Sequence, residues 1–145
     1  MAEALAVLGG LGSIFSIVDG ISKVIGMISD LRTKWDDADL TLLSLASQLT
    51  ALRAASAKIQ EWIDQDLQDA HHQLVMDLDV SVSCCRLLIC KIESFFTDLA
   101  QLTEKPLDLR NKFKIVFGSA GPESVQRLVE RQTSALTLLL TACNW

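Results

Sequence analysis

The chain of 145 residues carries 13 Lys and Arg against 18 Asp and Glu, for a net charge of -5, and half of its residues are hydrophobic. That length is enough to bury a core without disulfide or metal staples, and an acidic balance with no basic, aromatic-bearing stripe argues against nucleic acid as a partner. The positive mean hydropathy, +0.31, asks for either a large buried core or a surface that meets lipid or protein.

The first predicted element is a helix from Ala2 to Lys34. Its opening, AEALAVLGGLGSIFSIVDGISKVIGMIS, holds five of the seven glycines, Gly9, Gly10, Gly12, Gly20 and Gly26, and runs fifteen residues from Ala4 to Val18 without a charge. Gly12, Ser16 and Gly20 recur at a spacing of four, and Ser22 and Gly26 repeat it, so small residues are expected to line one side of the helix. Each interior glycine costs roughly 1 kcal/mol relative to alanine, and close helix-to-helix approach is the gain that offsets it. Glu3 is the only early charge, which does not suit a secretory leader, so the apolar start is expected to stay in the mature chain. A membrane span takes about 20 apolar residues, more than the clean run offers. Extending it to Ala4–Ile28 gives about 38 Å at 1.5 Å per residue, but takes in Asp19 and Lys23. These lie at i, i+4 with the acid first, the better order for an ion pair on one helix. Paired, they cost less than two separate charges at roughly 3 kcal/mol each, so insertion is conditional on an assembly in which glycine faces meet and the pair turns inward. At rest, Leu5, Leu8, Ile14, Ile17, Val18, Ile21, Ile25 and Ile28 are expected to fill the middle of a bundle.

Trp35 to Asp39 reads as a turn whose carboxylates favour the following helix N-terminus. The second helix, Asp39 to Gln65, carries Leu42, Leu45, Leu49, Leu52, Ser56, Ile59 and Ile63 at steps of three and four, one seam with a single polar interruption. A third, Gln68 to Thr103, has the same register in Cys85, Leu88, Ile92, Phe95, Leu99 and Leu102. From 104 to 121 the pattern breaks into a connector opened by Pro106 and closed by Gly118 and Gly121, with a short helix at Leu109 to Phe117. Pro122 then starts the last helix, which runs to Ala142 with Val125, Val129, Leu136, Leu139 and Cys143 on its seam. It has no C-capping signal, so the chain is expected to continue past Trp145. No window alternates as a strand does. The fold class is therefore all-α, a bundle of four long helices plus the short one near 109–117, forming one domain over 1–145.

Catalytic chemistry finds little footing. The cysteines at 84, 85, 90 and 143 make no disulfide framework and read as reduced, largely buried thiols of an intracellular protein. His71 and His72 are helix neighbours, not an i, i+4 metal pair. The early glycines lack the Lys-Ser/Thr and preceding strand of a phosphate loop. No base is paired with a Ser or Cys nucleophile, so neither an enzyme nor a cofactor nor a metal is expected. One basic cluster stands out: Lys105, Arg110, Lys112 and Lys114, interleaved with Leu107, Leu109, Phe113, Ile115 and Phe117. Such a segment suits anionic lipid head groups. Because it is short, the favoured expectation is an ordinary connector that packs its apolar residues and leaves its lysines in water.

The opening MAEALAVLGGLGSIFSIVDGISKVIG, the leucine-rich second helix and the ending SVQRLVERQTSALTLLLTACN resemble the fungal HeLo-like N-terminal domains found in front of nucleotide-binding, NLR-like (STAND) or ankyrin-repeat regions. The resemblance covers essentially the whole chain and is carried by patterns. It implies a helical bundle related to the HeLo domain and to the bundle of the mixed-lineage kinase domain-like protein, a part in regulated cell death such as heterokaryon incompatibility and innate immunity, and no catalytic site. It also implies that the glycine-rich first helix, with Gly9, Gly10, Gly12, Gly20 and Gly26, is the membrane-active, pore-forming element. The functional expectation is a cell-death effector domain, cytoplasmic at rest and at the membrane when activated. Its partners would be further copies of itself, anionic lipid, and a regulatory C-terminal region or NLR-like sensor. The alternative is an adaptor bundle that binds another helical domain and never touches lipid.

Overall fold

A computed structural model describes residues 11–34, 39–66, 72–101, 109–118 and 121–143. Five helices follow one another: α1 (Leu11–Lys34), α2 (Asp39–Asp66), α3 (His72–Ala100), α4 (Leu109–Phe117) and α5 (Pro122–Cys143), with no strand among the described residues. The all-α bundle of four long helices and a short fifth is thus the architecture. The short helix has the bounds expected from its flanking breakers, and the second and last helices run one residue past theirs. The expected start of the first helix, residues 2–10, and the expected ends of the third, 68–71 and 102–103, lie outside the described residues.

Leucine and isoleucine at three-four spacing put one continuous stripe on α2, and all seven seam positions, Leu42 through Ile63 with Ser56 among them, are buried. The corresponding face of α3 is Val75, Leu78, Val82, Cys85, Ile89, Ile92, Phe96 and Leu99, wider than the expected seam. Leu88 is only half-buried there, and Leu102 is outside the described residues. Val125, Val129 and Leu136 of α5 complete the wall, with Leu139 partly covered. Mid-helix hydroxyls on α5 are satisfied locally, as Thr133, Thr137 and Thr141 each donate to the carbonyl four residues back, at 2.7 to 2.9 Å.

The long helices make a four-cornered ring. α1 packs on α2 and α3, and α5 packs on the same two. Contacts between α1 and α3 advance together along both chains, Lys23 to Glu93 and then Met27 to Thr97, so these neighbours run parallel. α3 and α5 run antiparallel, since α4 lies against the C-terminal Phe95 and Phe96 of α3 just before α5 begins, while Cys85 of α3 meets Gln132 further along α5. α4 ends where the Gly118 amide donates to the Lys114 carbonyl at 3.0 Å. Gly118 and Gly121 have φ of 121° and 68°, left-handed conformations that a side chain strains. Gly121 N–H donates to Gly118, and Ser124 N–H to Gly121, turning the chain into α5.

Candidate functional site

The apolar face of α1 is Ile17, Ile21, Val24, Ile28 and Leu31, all at 3% exposure or less. Val18 and Ile25, expected inside with them, are half-buried against the core, and Val24 and Leu31 were not foreseen. Leu5 and Leu8 lie outside the described residues, as does the side chain of Ile14.

The small-residue positions separate into two roles. Gly9 and Gly10 lie outside the described residues, and Gly12 sits in the first turn of α1. Ser16 is exposed. At Gly20 a Cβ would stand 2.9 Å from Cγ2 of Ile89 and 3.8 Å from a Glu93 oxygen, so this glycine permits the close approach of α1 to α3. Gly26 is exposed, and a Cβ there would meet nothing within 4 Å. Among the described residues, no helix packs closely against it.

Lys23 does not pair with Asp19. Its Nζ donates to Glu93 Oε1 of α3 at 2.8 Å. The parallel packing of α1 and α3 delivers a full carboxylate to the ammonium, and that hydrogen bond, followed by the Glu93 charge, raises the Lys23 pKa, with Asp19 adding least. Arg53 of α2 donates to Ser22 Oγ at 3.2 Å, and the Thr97 hydroxyl reaches the Met27 sulfur at 3.9 Å. These polar ties of α1 to its neighbours all lie at exposed positions.

Of the basic cluster, Lys105 and the Arg110 side chain lie outside the described residues. Lys112 lines a groove of about 230 Å³ with Phe95, Asp98, Leu99, Ile115 and Val116, and Lys114 faces solvent. Beneath them Phe95, Phe96, Phe113 and Phe117 form one aromatic cluster, with centroids 4.5 to 6.1 Å apart.

The cysteines depart from expectation. Cys84 and Cys90 are exposed, and only Cys85 is buried among those described. Burial, with a smaller contribution from Cys84, pushes the Cys85 thiol up to about 12, and its S–H donates to Gln132 Oε1 at 3.5 Å. Among the described residues no group of His, Cys, Asp and Glu is arranged to hold a metal ion, and no helix is long and apolar enough to cross a membrane. His71 lies outside the described residues.

Comparison with protein-family models, curated proteins and solved structures finds no match.

Glu93 and Ile89, which together fix the seat of α1, carry no local signal. They lie about 70 residues away in sequence, on a helix whose own pattern announces only a core-facing seam.

Proposed function

We propose that the chain is a membrane-targeting effector domain of regulated cell death, which oligomerises on activation and brings its glycine-rich N-terminal helix to lipid. One observation carries the reading: the ties of α1 to the bundle through Ser22, Lys23 and Met27 lie at exposed positions, while its apolar face is the part held inside. Moving α1 into water exposes five aliphatic side chains at about 1.5–3 kcal/mol each, too much for spontaneous release. A bilayer interface accepts the same side chains and offsets that loss. The resting bundle and the lipid-bound helix are then two packings of one amphipathic segment.

Dye leakage from vesicles containing anionic lipid tests this through Gly26→Leu. Gly26 is exposed, with open space where a Cβ would stand, so the substitution is expected to leave the bundle folded, whereas an assembly built on the glycine face loses its close contact. Leakage is expected from the unmodified protein and should fall in the variant. Equal leakage removes the glycine face from the mechanism, and no leakage at any protein concentration removes the membrane function.

A second reading, a non-enzymatic adaptor bundle for an NLR-like or ankyrin-repeat protein, draws on exposed apolar residues away from α1. Val80 and Leu87, two turns apart on one face of α3, are each more than 60% exposed, a strip suited to another helical domain. Partner binding with no membrane fraction after activation favours it.

A further inference from the structure

Among its described side chains, helix α4 is seated through one side. Phe113 is fully buried and Phe117, one turn later, partly so, both inside the aromatic cluster with Phe95 of α3. The three residues between them, Lys114, Ile115 and Val116, are all exposed, Ile115 at 81%. Single exposed apolar residues are common. This one is set among cations: Lys112 and Lys114 flank it, and the ammonium of Lys91 lies over the Phe117 ring, 5.3 Å from its centroid. Three lysines and an apolar tip thus share one end of a chain whose net charge is -5. Asp98, on the groove wall beside Lys112, tempers this charge without removing it.

We propose that the outward side of α4, Lys112, Lys114, Ile115 and Val116 with Lys91 of α3, docks the folded domain on an anionic lipid surface. Charge complementarity selects an anionic partner. The apolar tip selects a sheet of head groups over an acidic peptide: Ile115, 81% exposed at the rim of the groove, offers aliphatic surface that an interface accepts, and Asp98 on the groove wall opposes an acidic chain lying there. Docking of this kind needs no movement of α1. It rests on the effector reading only in taking lipid as the partner, and adds where the resting domain first meets it.

Co-sedimentation of the whole chain with phosphatidylserine-containing vesicles, against neutral phosphatidylcholine vesicles, tests the proposal. Binding is expected to the anionic vesicles alone and to weaken with added salt. Lys112→Gln with Lys114→Gln should lower partitioning by about 25-fold, at about 5-fold per lysine near an anionic surface. Ile115→Ser should lower it by roughly 5-fold through lost interfacial burial. Both variants change exposed or half-exposed positions, so circular dichroism melts should match the unmodified protein. Absence of binding to anionic vesicles, or unchanged binding by both variants, overturns the proposal. Binding of polyglutamate through the same lysines, with vesicles ignored, assigns the patch to an acidic protein and overturns it equally. Vesicle binding without leakage leaves the docking intact while the effector function fails. Leakage that survives in the α4 variants with unchanged sedimentation does the reverse.

Discussion

Ser56 stands in the α2 seam between Leu52 and Ile59, with 0% exposure and, among the described residues, no hydrogen-bond partner for its hydroxyl oxygen. The threonines of α5 show the usual escape, donation to the carbonyl four residues back; Ser56 does not take it. Desolvating an unpartnered hydroxyl costs about 1–3 kcal/mol by the measure of protein substitutions. Ser56→Ala deletes that oxygen, keeps the Cβ in place, and gains up to about 0.5 kcal/mol of helix propensity. Against this stands a void one atom in size, worth less than about 1 kcal/mol. The net expectation is a gain of about 1–2 kcal/mol, which for a chain of this length raises the melting midpoint by roughly 3–8 °C. Thermal and urea unfolding followed by circular dichroism measure it, with an unchanged urea slope confirming that the folded state is what changed. An unchanged or lower midpoint in Ser56→Ala would mean that the hydroxyl is bonded in solution, and the reasoning fails.

The two glycines of α1 should answer alanine with opposite signs. Gly26→Ala has open space and gains about 1 kcal/mol of helix propensity, while Gly20→Ala drives a Cβ into Ile89 at 2.9 Å and loses about 1–3 kcal/mol by overpacking; matching shifts in denaturation midpoint would refute the division of roles. Iodoacetamide should alkylate Cys84 and Cys90 in the folded protein but reach Cys85 only after unfolding, as mass spectrometry of the peptides will show. Because the fold raises the Cys85 pKa from 9.0 to about 12, its contribution is complete below pH 9. It then declines by about 1.4 kcal/mol per pH unit as the unfolded chain alone ionises. Stability curves of the unmodified protein and Cys85→Ala should therefore converge between pH 9 and pH 12; parallel curves count against the buried thiol.

The α2 seam was readable because burial there needs only periodicity, and every seam residue points where its spacing says. α4 was readable for a different reason: Pro106 and Gly118 leave room for little else. The seat of α1 was not. The i, i+4 rule that suggested an Asp19–Lys23 pair describes a helix alone in water, while a helix packed beside a parallel partner finds whatever carboxylate lies across the gap, here Glu93. Likewise Gly20 and Gly26 belong to one glycine-rich pattern, yet six residues of helix leave them about 120° apart around its axis, so one faces α3 and the other faces out. Of the α4 lysines expected in water, Lys114 is exposed and Lys112 is half-buried in the groove; Ile115 was expected to pack, yet two residues of helix turn it about 200° from Phe113, off the face that Phe113 and Phe117 share.

α2 and α3 hold a common neighbour in α5 as well as in α1, so withdrawal of α1 opens the ring into a continuous three-helix arc and does not split it into two halves. The arc keeps α4 and its aromatic footing, and presents a slot of the length and shape of the departed helix. Reclosure is then the docking of one helix into a standing receptor, governed by two interfaces, and not a refolding of the whole chain.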